Sequence, residues 1–483
     1  MKLGAAPSGG QASGFSPRDR RMSAGRGLLL VAMIVLTASL SGIFTRGFGF
    51  LPAFWPANAV LMGMFLRYPR LATPAGWLAA FLGYVAADLL TGGHLDVALW
   101  LTAANLANVA TCCFLFRRLP EEDRLLRRPP SVLYLFGIAS LGALAAAIVA
   151  ASISPVFYGE GLFAGMAFWF TAELVNTVVV LPVILTMPEP SGFRLRLRRS
   201  QDWRAGFLKV VPLLALGLSV AAELLIGGPG AIAFPVPALL WCALTYGLFT
   251  TVVLTLLVNS WKIVAVSGYA QGFPGLVDFM DATMSFRLGI TLLALGPLTV
   301  ATINSARNEL LRRLDHTASH DSLTDTLTRS AFMGRGRALL EPRTPPLEPG
   351  VAVLMLDIDH FKQVNDRHGH ATGDKVLAVF AAAVKKALRS QDLFGRLGGE
   401  EFAVILPRTG RIEAVRVAER IRRAVESLVI VPEGGARLGI TVSIGVAVRT
   451  PTALASLDHF LSMADKALYR AKAAGRNRVE SAA

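Results

Sequence analysis

The first 300 residues are a succession of long apolar runs, near 27–44, 54–68, 75–92, 97–116, 131–154, 163–187, 207–226, 231–248, 250–268 and 285–303. A bilayer holds no water to satisfy a bare backbone, so a spanning helix needs roughly 20 apolar residues. The runs therefore predict an all-α polytopic membrane domain of about ten transmembrane helices. With 53% apolar and only 17% charged residues, the composition argues against a soluble multidomain enzyme. Residues 321–483 carry 24 basic and 18 acidic side chains, so +9 of the net charge of +15 belongs to the apolar part. Basic loops between membrane spans account for that excess, and no nucleic-acid partner is required. Cys112, Cys113 and Cys242 all lie inside apolar runs and read as small buried hydrophobes.

Lys and Arg alternate between sides as such a topology requires. The N-terminal segment 1–26, the loop with Arg67 and Arg70, the loop from Arg117 to Arg128 and the stretch Arg194 to Arg204 fall on one side. The loops near Gly92, Tyr158, Gly228 and Asp278 fall on the other. An even number of spans returns the C-terminal part to the cytoplasm. Reading the first run as a cleaved signal peptide, with small residues near Ala38, leaves the later topology unchanged. Asn58, Asn105, Asn108, Glu173, Asn176 and Lys262 are polar groups in this apolar setting; either they tie helices together or they mark a functional centre, with Glu173 the best placed. The run Trp55-Pro56-Ala57-Asn58-Ala59-Val60, the segment Thr171 to Asn176 and Leu181-Pro182 resemble the membrane sensor domains of the MASE type, over residues 27–304. The resemblance implies perception of a signal rather than transport.

Residues 305–320 turn polar, with Leu310, Leu311 and Leu314 among charges, and read as a helical linker able to pair with a second copy. From Val351 onward, strands alternate with helices. An apolar strand Val351–Leu356 ends in Asp357-Ile358-Asp359, a helix follows from about Gly373 to Leu388, and two short strands flank Gly398-Gly399. A helix 411–427, a strand Ile440–Val448 and a helix 454–473 complete an α/β domain, 321–483. Carboxylates at two adjacent strand ends suit one or two Mg²⁺ ions on a nucleoside triphosphate.

Asp321-Ser322-Leu323-Thr324, Asp357 through Lys362, Gly398-Gly399-Glu400-Glu401-Phe402 and Lys472 through Asn477 closely resemble the GGDEF family of diguanylate cyclases. That resemblance implies a central sheet flanked by helices, similar to the adenylyl-cyclase and polymerase palm, and condensation of two GTP into cyclic di-GMP. It also implies a homodimer, because each domain holds one GTP, and Mg²⁺ or Mn²⁺, two per active site. Asp357, the Ile358 carbonyl and Glu400 match the metal ligands. Glu400 and Glu401 match the catalytic acidic turn, with the base role of Glu400 left open by its metal coordination. Lys362, Lys472 and Arg476 match the phosphate contacts, and Asn365, His370 and Asp374 the nucleotide-binding positions. A carboxylate at Asp374 accepts from guanine N1–H and N2–H₂ together, a pair adenine lacks. Arg389 and Asp392, with Arg416 and Arg420 from the next helix, match an inhibitory product site where arginines pair with phosphates and stack on guanine.

The chain departs from the family's common wording at Asp325-Thr326-Leu327-Thr328, which bears on the docking of the linker rather than on the chemistry. The expectation is a multi-pass protein of a bacterial cytoplasmic membrane, in contact with lipid, its catalytic domain in the cytoplasm and cyclic di-GMP its feedback ligand. The competing reading is a catalytically silent cyclic di-GMP receptor. Its usual mark is a damaged turn, and here Asp357, Glu400, Glu401, Lys362 and Lys472 are all present.

Overall fold

The computed structural model describes residues 24–45, 53–151, 162–188, 203–228, 230–268, 276–340, 350–431, 437–449 and 456–482. The basic N-terminal segment up to residue 23, the loop around Tyr158, the basic stretch through Ser200 and the proline-rich loop after Glu341 lie outside the described residues. The chain divides into two compact units, Met1–Asn308 and Glu309–Ala483.

In the first unit the apolar runs all become helices: α1 (Ala24–Ile43), α2 (Ala57–Arg67), α3 (Pro74–Leu90), α4 (Leu95–Arg117), α5 (Ser131–Ala151), α6 (Leu162–Thr186), α7 (Trp203–Ile226), α8 (Pro235–Thr245), α9 (Leu248–Gly268) and α10 (Leu276–Ser319). Six of the described helices are long and apolar enough to cross a membrane, namely α4, α5, α6, α9 and the apolar parts of α7 and α10. The other four apolar helices are shorter among the described residues, so six of the about ten expected spans have the length to cross. At 1.5 Å per residue an 11-residue helix such as α2 or α8 reaches about 16 Å, half of a hydrocarbon core. Proline sets these limits: Pro56 immediately precedes α2, Pro69 stands just beyond its end, and Pro235 opens α8. Leu61, Phe65, Tyr84, Phe116, Leu135, Leu174 and Leu181 form the centre of the packing. Lys262 is not a lone charge, since its Nζ stands 3.2 Å from Glu223 and donates to the Ile232 carbonyl. The expected linker 305–320 is not a separate element but the continuation of α10, unbroken to Ser319.

The second unit is a five-stranded sheet in the order β2-β3-β1-β4-β5. Its strands are β1 (Val351–Ile358), β2 (Leu393–Gly398), β3 (Glu401–Pro407), β4 (Val442–Arg449) and β5 (Val479–Ser481). β1 lies in the middle, antiparallel to β3 and β4, and all eight of its residues are buried. That explains its unbroken apolar run, for a strand covered on both faces does not alternate. The helices are α11 (Arg329–Leu340), α12 (Phe361–His368), α13 (His370–Ala387), α14 (Arg411–Glu426) and α15 (Leu457–Ala473). Leu354, Leu356, Phe402, Val404 and Ile444 pack with Phe380 of α13 and Ile421 of α14 on one face. Val353, Met355, Ala403 and Ile405 pack with Phe332 of α11 and Leu468 of α15 on the other. The short helix α12 and the edge strand β5 were not legible as elements in the sequence.

Candidate active site

Asp357 is the last side chain on the α15 face of β1, directly opposite Glu401 of β3 and Ser443 of β4 in the sheet register. It is 6% exposed, and Lys472 near the end of α15 places its Nζ 2.7 Å from Oδ2. Burial pushes the Asp357 carboxyl above the usual range, and the Lys472 ammonium pulls it back only in part. A buried carboxylate of this kind, with a second carboxylate one residue from its cross-strand partner, is a hard oxygen donor set of the sort Mg²⁺ takes. Among the described residues no three His, Cys, Asp or Glu side chains converge as a metal cluster. The expected set differs in kind: Asp357, Glu400 and the main-chain carbonyl of Ile358.

The two carboxylates Glu400 and Glu401 come from a two-residue hairpin in which Gly398 pairs with Glu401. Gly399 turns the chain at φ +48°, a conformation that costs other residues about 1 kcal/mol or more. Sequence reasoning missed the residue that holds this turn. Arg396 Nε donates to the Gly399 carbonyl at 2.9 Å, while its Nη1 reaches the Asp321 carboxylate at 3.2 and 3.3 Å. Asp321 also accepts from the Thr324 backbone N–H and hydroxyl. Partial burial opposes ionisation of Asp321, but Thr324 and Arg396 outweigh it and hold the carboxyl below its usual range. The folded pKa is thus depressed, so this stabilisation is present above the unfolded value near 4 and is lost as pH falls through the folded one. Arg396→Ala should lower turnover about tenfold by freeing the turn and should flatten the acid limb of the stability curve. Paired measurements of rate and of thermal unfolding between pH 3 and 7 check both.

Asp359, two residues beyond Asp357, has a different job. Its carboxylate accepts from Thr441 Oγ1 at 2.7 Å, Ser443 Oγ at 2.7 Å and the Asn477 backbone N–H at 3.1 Å. It therefore ties the loop after α15 to the sheet. Gly475, Arg476 and Asn477 all have positive φ there, and Asn477 is further held by Glu426 and Arg422. This clamp fixes the segment bearing Lys472 and Arg476 beside Asp357.

Lys362 and Asn365 lie on α12; His370 and Asp374 lie on α13. A Cβ added to Gly373 would stand 1.9 Å from Asn365 Oδ1, so only glycine allows Asn365 to lie this close to the start of α13. Asp374 is exposed, in the second turn of α13. It does not open the helix as its sequence position implied, because the helix begins at His370 after Gly369 at φ +78°. Among the described residues no direct contact joins Lys362, His370 or Asp374 to the acidic edge.

Arg389 and Asp392 form a tight turn before β2 rather than part of the strand. The Asp392 carboxylate accepts from the Arg389 backbone N–H at 2.8 Å, and the Asp392 N–H donates to the Arg389 carbonyl. Burial raises the Asp392 carboxyl, against the backbone N–H of Arg389 and the charges of Arg389 and Arg420. Arg389 and Arg416 both pair with Glu413, at 3.2 and 3.8 Å, and Arg420 donates twice to the Ala387 carbonyl. Glu413, which the sequence reading did not single out, thus joins Arg389 and Arg416.

Residues 318–478 match the family model for the diguanylate cyclase GGDEF domain. Over 438 residues the chain is 34% identical to the probable diguanylate cyclase DgcF of Escherichia coli O157:H7, covering 89% of each. It is 36% identical to the DgcF of E. coli K12 over 323 residues, 65% of this chain and 97% of that protein. The response regulator PleD of Caulobacter vibrioides is 42% identical over 179 residues, 35% of this chain and 38% of PleD. An acidic edge closed by Lys472, a two-glycine hairpin and a relationship running nearly the length of DgcF place this chain in the GGDEF family, and it is a diguanylate cyclase.

Proposed function

We propose that this chain is a membrane-bound diguanylate cyclase whose synthesis of cyclic di-GMP answers to a signal received by its helical unit and to its own product. The observation that carries the catalytic reading is the Asp357–Lys472 contact at the end of β1, beside the intact Gly398-Gly399-Glu400-Glu401 turn. Asp357, Glu400 and the Ile358 carbonyl would hold one or two Mg²⁺ or Mn²⁺ ions, which supply charge neutralisation for a triphosphate. Lys472 then turns from Asp357 to the phosphates, where Lys362 and Arg476 add charge from two other segments. Asp374, exposed on α13, accepts from the guanine edge, with Asn365 and His370 beside it. Glu400 would serve first as a metal ligand, which leaves its part in removing the proton of the attacking 3′-hydroxyl open, and Glu401 adds negative charge on Asp357's side of the sheet. One domain holds one GTP, so two chains must face each other. The helical unit, read as a MASE-type sensor, anchors the enzyme in a bacterial cytoplasmic membrane. Purified full-length protein with Mg²⁺ should convert GTP to cyclic di-GMP and leave ATP unchanged; an inactive protein that still binds cyclic di-GMP would identify a receptor instead.

Feedback rests on the Arg389 turn. Cyclic di-GMP bound to Arg389, Asp392, Arg416 and Arg420 would have to displace Glu413 from the two arginines it now neutralises. Arg389→Ala should raise steady-state product several-fold while the initial rate, read before product builds up, stays within twofold. A progress curve with and without added cyclic di-GMP decides this; a wild type insensitive to product would remove the site.

A further inference from the structure

Five segments of the helical unit converge on one buried carboxylate. Glu173 of α6 is 4% exposed, and its Oε2 accepts from Asn58 of α2 at 2.8 Å and from Asn108 of α4. Asn58 uses its other amide hydrogen on Asn105 Oδ1 at 2.9 Å, and its own Oδ1 accepts from the Tyr84 hydroxyl of α3 and the Trp55 indole. Nearby on α6, Asn176 Oδ1 takes the Trp55 backbone N–H at 3.1 Å. Two amide donors are thus fixed on a single oxygen of Glu173, and among the described residues no donor meets Oε1. Thr102, one turn from Asn105 on α4, and Thr177, one turn after Glu173, are fully buried with hydroxyls that find no partner among the described residues. The titratable neighbours of Glu173 are Tyr84 of α3, Cys112 of α4 and Arg287 of α10. Arg287 acts on it through its field; the guanidinium itself lies over the Phe168 ring at 4.5 Å and donates to the Phe168 carbonyl.

A scaffold needs only an acceptor for Asn58 and Asn108. Glutamine would serve as well, without the desolvation penalty that an ion carries in a low-dielectric interior. A carboxylate with one oxygen anchored by amides and the other open is instead suited to gain and lose a positive charge. We infer that Glu173 is the centre at which the helical unit takes up a small monovalent cation, a proton or an alkali ion. Uptake of a proton forms one O–H bond at Oε1, leaves the two amide bonds on Oε2 and removes the negative charge; an alkali ion neutralises the same oxygen without a covalent bond. Either event changes the field on Arg287, which belongs to the helix that runs unbroken to Ser319. The inference rests on the reading of this unit as membrane-embedded and names the kind of signal it would receive.

Full-length protein in lipid nanodiscs provides the test. Infrared difference spectra between pH 8 and pH 5 should show the carbonyl stretch of a protonated carboxylic acid in the wild type and lose it in Glu173→Gln. If the source is sodium, exchange of Na⁺ for choline at fixed pH should shift a carboxylate stretch in the wild type alone. The cyclase rate should follow whichever band responds, changing several-fold across the titration, and Glu173→Gln should be locked at one rate. Glu173→Asp, which keeps the charge, should restore a responsive band. Identical spectra from wild type and Glu173→Gln in both arms would overturn the inference, as would a rate that responds equally in both proteins. Release of the protein from membranes by an alkaline carbonate wash would overturn the membrane reading separately.

Discussion

Glu400→Gln should cut cyclic di-GMP synthesis by about 10³-fold while leaving the protein folded. The substitution keeps shape and removes one charge from the acidic turn. Loss of a single preorganised electrostatic group at a reacting phosphoryl or acyl centre costs about 10²–10³ in rate, and on the proposed reading the same charge would also help hold the metal. Stability should change by less than about 0.5 kcal/mol, since the side chain lies in a half-exposed turn and makes no buried bond. Asp357→Asn should lose as much activity for a different reason, because it also strands Lys472, whose ammonium now sits 2.7 Å from that carboxylate. Turnover measured at saturating Mg²⁺, beside thermal melts of both variants, separates the two. Retention of more than a tenth of the wild-type rate in Glu400→Gln would move the metal site elsewhere.

Asp374→Ser should erode the choice of GTP over ATP by a factor of roughly 10 to 150. That range corresponds to about 1.5–3 kcal/mol for hydrogen bonds to a charged acceptor. Adenine offers neither N1–H nor the 2-amino group, so the carboxylate loses that donor pair with it. The exposed position of Asp374 in the second turn of α13 means that the helix does not depend on it as a cap. Folding should therefore be untouched, and the effect should fall on kcat/KM for GTP rather than on the thermal midpoint. Competition of GTP and ATP for one enzyme sample reads the ratio directly. An unchanged ratio would assign guanine recognition to Asn365 or His370 instead.

The pattern of residues along the chain marked the apolar helices of the first unit and the alternation of strands and helices in the second. Apolar runs announced the helices of the first unit, because hydropathy is a property of the segment itself. A six-residue apolar run ending in acid announced β1, and Gly398-Gly399 between two strand patterns announced the hairpin, since a two-residue turn is local chemistry. What stayed hidden depends on residues far apart in sequence. Asp357 lies at the end of β1 and Asp359 in the turn just past it, and composition does not tell them apart. Thr441, Ser443 and Asn477, 82 to 118 positions away, make Asp359 a tie, while Asp357 meets Lys472 instead. Nothing in the sequence singles out Arg396, which the sheet brings to Asp321 and the Gly399 carbonyl. Nor does it single out Glu413, which meets Arg389 from another element. In the first unit, Asn58, Asn108 and Glu173 were each visible as polar residues in apolar runs, but their meeting on a single oxygen was not. Local propensity and periodicity act over a few residues, whereas a hydrogen bond between elements exists only once packing has closed the distance; the elements were therefore written in the sequence, and the partners were decided by the fold.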